Sequence, residues 1–156
     1  MAERGSLAGA LQRLASELLG ATTPAVVGAL VATTAAELLG ADAAAVFTRV
    51  DSRTLEALHT TGWPDDVTRP FHRLNLQRGR PLSDAVLDRC PVWLEDAAQW
   101  RRRYPDMAPA GTAADMQASA CLPLSVEDRD LGAVVFSFAA PRRFSAEDRE
   151  FLMAVT

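Results

Sequence analysis

Lysine is missing from this 156-residue chain, and all sixteen of its basic residues are arginine. That excludes Schiff-base catalysis and a phosphate-loop lysine. Isoleucine is also missing and asparagine occurs once, as Asn75; with the many alanines and arginines, this reflects the codon usage of a GC-rich bacterial genome rather than a function. There are two cysteines, Cys90 and Cys121, and two histidines, His59 and His72. Two cysteines do not make a disulfide scaffold, and the four residues do not show a zinc-binding spacing. No apolar run approaches membrane-spanning length, and Glu3 and Arg4 stand where a signal peptide would begin its apolar core. The expectation is a cytoplasmic chain with no membrane partner. The formal net charge of −4 lacks the basic excess of a duplex-DNA binder, so no nucleic-acid partner is expected. The one dense basic cluster, Arg101-Arg102-Arg103, reads as a solvated helix face.

What is present is an ordinary globular composition, 49% hydrophobic and 23% charged, enough for one domain with a real core. Leu7, Leu11, Leu14 and Leu18 form a narrow stripe on a first helix, close to a coiled-coil seam, and Gly20 stands where that helix stops. Thr23 and Pro24 cap and open a second helix, with Val27, Leu30, Val31, Leu38 and Leu39 expected to face inward and Gly40 to end it. Strands are expected over Ala43–Val50 and Thr54–Thr61, the second with His59 on the face of Leu55 and Ala57, joined by a turn at Asp51-Ser52-Arg53, with a weaker one over Phe71–Leu76. Gly79-Arg80-Pro81 opens a short helix, Pro91–Leu94 is extended, and Asp96 caps a helix carrying Trp100 and Tyr104. Pro105 to Gln117 has no period and reads as a loop of the kind that forms lids. Strands over Ala118–Ser125 and Leu131–Phe138 follow, and Ser145 with Asp148 caps a last helix whose apolar face is Phe151, Leu152 and Val155. That helix meets no stop signal before Thr156 and is expected to lead into a further segment. Hairpin-joined strands with helices at both ends predict an α+β fold. Its central antiparallel sheet carries the N- and C-terminal helices on one face and short helices and loops over the other.

The run Ser119-Ala-Cys-Leu-Pro-Leu-Ser-Val, then Asp130-Leu-Gly-Ala-Val-Val-Phe-Ser-Phe, then Pro141-Arg-Arg-Phe-Ser-Ala-Glu-Asp-Arg-Glu-Phe-Leu, resembles the C-terminal half of a GAF domain. Leu39-Gly-Ala-Asp-Ala-Ala-Ala-Val-Phe is similar to the approach to that family's first strand. Gly79-Arg-Pro-Leu-Ser-Asp-Ala-Val and Pro91-Val-Trp-Leu-Glu-Asp are similar to its middle section. The resemblance divides the chain into an N-terminal helix, 1–20, for dimerisation or signalling, and a sensory domain, 21–156. It implies a regulatory module rather than an enzyme, of the bacterial type joined to serine/threonine phosphatases or histidine kinases, with an output domain or regulatory protein as partner. The family's cyclic-nucleotide signature needs an Asn-Lys pair, its bilin sites a Cys followed by His, and its methionine-sulfoxide reductases three cysteines; this chain has none of these. No cofactor is identified.

The aromatic residues of the middle section, Trp93, Trp100 and Tyr104, with Met116, His72 and Cys121, are the candidate ligand-binding residues, because small-molecule pockets join aromatic walls to a few polar tips. Each has a plainer reading: the aromatics as a second minor core, His72 as a surface residue, Cys121 as a buried inert thiol. Strand parity puts Cys121 with Ser119 and opposite Ala120 and Leu122, without deciding which face lines a pocket. Two alternatives to ligand sensing stay open. One is a ligand-free module that dimerises through its terminal helices. The other is a small redox enzyme, which requires Cys90 and Cys121 to be close together.

Overall fold

The computed structural model describes residues 2–20, 23–107 and 116–156, the side chains of 2–7, 10 and 11 excepted. Helices α1 (Ala2–Leu18) and α2 (Pro24–Leu39) lead into strands β1 (Ala43–Arg49) and β2 (Thr54–Thr61). A middle section follows, with α3 (Asp65–Thr68), a 3-10 turn (Arg69–Phe71), β3 (Arg73–Asn75), α4 (Pro81–Asp88), β4 (Val92–Leu94) and α5 (Ala97–Arg103). Strands β5 (Ala118–Val126) and β6 (Arg129–Phe138) and helix α6 (Ala146–Ala154) complete it. The six strands form one antiparallel sheet in the order β3-β2-β1-β6-β5-β4. This is the expected α+β architecture, with helices on both faces.

Local chemistry sets the element ends. The Thr23 hydroxyl accepts from the Val26 amide at the start of α2, and Gly40 closes that helix in the left-handed region, where a side chain would be strained. Asp96 caps α5 by accepting from the Gln99 amide at 2.7 Å. Ser145 and Asp148 form the reciprocal capping box of α6. Phe144, just before that cap, is buried against Phe138 and Trp93 in the same core as Phe151 and Leu152 of α6.

Two faces differ from expectation. In α2 the buried residues are Gly28, Ala32, Ala35, Ala36 and Leu39, while Val27 is exposed. The helix lies so close to the sheet that a Cβ at Gly28 would stand 3.3 Å from the Val46 side chain, so small residues take the inward face. In β2 the register against β1 slips between Val46↔His59 and Phe47↔Ala57, leaving Leu58 as an extra residue. The bulge breaks the alternation. Leu55 and Ala57 belong to one face, whereas His59 lies opposite Val46, whose side chain joins the core of the other.

The core on the helical face gathers the small residues of α2 with Val46, Leu122, Val134, Phe136, Phe151 and Leu152. Helix α1 packs along α2 and Leu14 is buried, so the helix expected to present a coiled-coil seam has a partner within its own chain. The side chains of Leu7 and Leu11, the first half of the expected seam, are not among those described. Most of the expected lid loop, 108–115, lies outside the described residues. No described helix is long and apolar enough to cross a membrane.

Candidate functional site

The opposite face of the sheet holds a cavity of about 300 Å³. Alternation along four central strands supplies its floor: Ala45 and Phe47 from β1, Thr60 from β2, Ser119 and Cys121 from β5, Val135 and Ser137 from β6. Most of these side chains are small. Large ones stand around them: Trp63 and Phe71 beside α3, Leu74 on β3, Leu82 on α4, Trp100 on α5, and Met107 and Met116 on either side of 108–115. A floor of small residues under a wall of large ones leaves the sheet and the middle section apart, and the gap is the cavity. Its lining is mostly apolar.

The polar groups are few. Ser119 and Ser137 face each other across β5 and β6, both buried, with their hydroxyl oxygens 3.0 Å apart. One hydroxyl donates to the other, which leaves one O–H for another acceptor. The Trp100 indole N–H is shielded from solvent and donates to no partner among the described residues. Thr60, Thr68, Asn75, Ser83 and Arg80 are the other polar residues of the described lining. Arg80 stands at the start of α4, half-buried, and its guanidinium makes no ion pair or hydrogen bond with the described residues.

Of the six candidate residues, the structure brings three to the cavity: Trp100, Met116 and Cys121. Cys121 settles the parity question, since its face of β5 lines the cavity while Ala120 and Leu122 pack under the helices. Burial pushes its thiol up to about 12, partly offset by the Arg103 charge, so it stays protonated at neutral pH. Cys90 is exposed, and no disulfide joins the two. Tyr104 is buried behind Trp100, edge to face at 6.3 Å between ring centres, and does not line the cavity. Burial, with the Asp84 charge second, raises its phenol to about 12. Trp93 turns toward the C-terminal helix, 5.2 Å from Phe144 and beneath the Arg149 guanidinium. His72 is exposed on the 3-10 turn side of β3 and uses its backbone carbonyl to accept from Ala57. Among the described residues no cluster of His, Cys, Asp or Glu could hold a metal ion.

Sequence reasoning passed over the Ser119–Ser137 pair, Arg80 and Phe47. The pair did leave a signal: serines in apolar stretches of two central strands mark a buried face that is not simply core.

A GAF domain family model matches residues 21–156. The chain belongs to the GAF domain family. GAF domains generally serve as regulatory and sensory modules, and they are typically non-catalytic. Solved GAF domains share the fold at low identity. Those of phosphoenolpyruvate-protein phosphotransferases from Acinetobacter and Coxiella burnetii both superpose with a TM-score of 0.78, at 14% and 20% identity, each over 96% of this chain and 87% of theirs. A GAF domain/HD domain protein from Geobacter sulfurreducens superposes at 0.64 with 17% identity, over 80% of this chain and 81% of that one. A search of curated protein sequences gives no match.

Proposed function

We propose that this GAF domain is a sensor that holds one small, largely apolar molecule in the cavity between sheet and middle section, and that its terminal helices pass the bound state to an attached or partner output domain. The cavity carries the reading. Its volume of about 300 Å³ and its mostly apolar lining are those of a small-molecule site. A route outward is also built in. Glu95 sits between β4 and α5, the helix that brings Trp100 to the cavity. Its carboxylate accepts from the Phe144 amide at 3.0 Å and lies 3.5 Å from Arg149 of α6. Native mass spectrometry of the purified chain tests the reading. A mass increment that disappears on denaturation, and is missing from an Ala45→Leu variant that fills the floor, is the expected result. A bare mass for the folded chain, together with no small apolar probe raising its melting temperature, would sink the idea.

Assembly is the second element of the proposal. The helix over residues 2–18 lies ahead of the matched family region, and bulky apolar side chains stand exposed around its end and on the C-terminal helix: Leu19, Val26 and Met153. A homodimer formed through the terminal helices would cover them. Light scattering is expected to give twice the chain mass at micromolar concentration, and a single mass for a chain beginning at Ala21. A monomeric intact chain counts against the dimer, and an unchanged dimer after truncation counts against this interface.

A further inference from the structure

Arg80 is the one charged residue in the described lining of the cavity, and donors without an acceptor stand with it. The Trp100 N–H has no acceptor, the Ser119–Ser137 pair has one O–H to spare, and the Arg80 guanidinium has no counter-charge among the described residues. No Asp, Glu or His is among the described residues of the lining. A buried donor without an acceptor is costly, and a half-buried cation beside an apolar enclosure favours an anion in reach. We infer that the ligand of this cavity is a monocarboxylate with an apolar aromatic or alkyl body, its carboxylate held by Arg80 and Trp100 and its body lying on the small-residue floor.

The inference rests on the cavity being the ligand site and adds the chemical class. One carboxylate matches one guanidinium, and the planar fork of arginine suits a carboxylate's two oxygens. A second negative charge, as on a dicarboxylate or a phosphate monoester, would lie unpaired against an apolar wall. A neutral ligand would leave Arg80 without a counter-charge among the described residues. A cation would meet Arg80 and find no carboxylate.

Calorimetric titration of the full chain with 2-naphthoate and octanoate, each beside its primary amide, tests this, with naphthalene-2,6-dicarboxylate as the dianion. At least one acid is expected to bind about tenfold or more tightly than its amide, as a charge-assisted hydrogen bond requires, and the dianion more weakly than 2-naphthoate. Arg80→Gln is expected to erase the preference for the acid, with binding of the amide to the same variant showing that the cavity still forms. Arg80→Lys, which keeps the charge, retains part of it, and Trp100→Phe, which keeps a ring but removes the N–H, weakens the acid severalfold. Amides that bind as well as their acids, or a preference that survives Arg80→Gln in a folded variant, would overturn the class of ligand and leave the cavity reading standing. So would a neutral or cationic molecule retained in native mass spectrometry. If neither acids nor amides bind and nothing is retained, both readings fall.

Discussion

Gly132 shows how tightly a single residue can be specified. It pairs with Thr48 across β1 and β6, and a Cβ there would fall 1.9 Å from the Phe47 carbonyl oxygen and 3.0 Å from the Thr48 Cα. Both obstacles are backbone in the middle of the sheet, so neither can rotate away. Gly132→Ala is therefore expected to destabilise the domain by about 3 kcal/mol, the upper range for overpacking, and to lower Tm by roughly 6 to 12 °C for a chain of this size. Calorimetric melting measures it; a loss below about 1 kcal/mol would mean that the two strands part easily. The two thiols make a second contrast. Exposed Cys90 is expected to react promptly with Ellman's reagent in the native protein. Cys121, buried and held protonated, is expected to react only as the chain unfolds. Two fast thiols in folded protein would contradict that placement, and reductant should leave Tm unchanged.

At the level of elements, Arg142 joins three of them. Its guanidinium donates to the Leu39 carbonyl at the end of α2, pairs with Asp148 of α6 at 3.2 Å, and stacks 4.7 Å from the Phe138 ring centre at the end of β6. The last turn of α2 lacks a basic residue of its own, so Arg142 supplies from afar the cation that helix C-termini favour. Removing it leaves a carbonyl and a carboxylate short of a partner and strips a cover from Phe138. Arg142→Ala is expected to cost about 2 to 3 kcal/mol in urea unfolding, and Arg142→Lys to recover less than half, because an ammonium cannot serve two acceptors and a ring face together. A neutral effect of the alanine variant would show that α2 and α6 are held by their apolar faces alone.

For the whole molecule, the clearest dependence on solution conditions lies at alkaline pH. Tyr104 and Cys121 have their proton affinities raised to about 12 from ordinary values of 10.0 and 9.0, chiefly by burial. Each is neutral when protonated, so the folded state holds these protons more tightly than the unfolded chain does. Their contribution to stability is fully present below about pH 9 and is lost as pH climbs toward 12. The urea midpoint is expected to fall across that window, and Tyr104→Phe with Cys121→Ala to flatten the fall. A profile that declines equally in the double variant would assign the alkaline loss to other groups. Both residues belong to the minor core beside the cavity, so this core is expected to loosen before the helical one.

Caps, breakers and short-range periodicity are properties of a few neighbouring residues, and they were readable in the chain alone. Thr23-Pro24, Gly40, Asp96 and the Ser145–Asp148 box bound their helices where expected, and the hairpins β1–β2 and β5–β6 follow from alternating runs with turn residues between them. The order of these elements was enough for the α+β class. Which face each element presents was a different matter, because that depends on how close its neighbour comes. The approach of α2 to Val46 turned alanines inward and Val27 outward, the bulge at Leu58 moved His59 off the face of Ala57, and the burial of Leu14 gave α1 a partner within its own chain. The cavity is of the same kind. Ser119, Cys121, Ser137, Trp100 and Arg80 are spread between positions 80 and 137 and converge only when the sheet closes beneath the middle section, so the chain by itself determined the elements and their order, and tertiary packing alone decided the site.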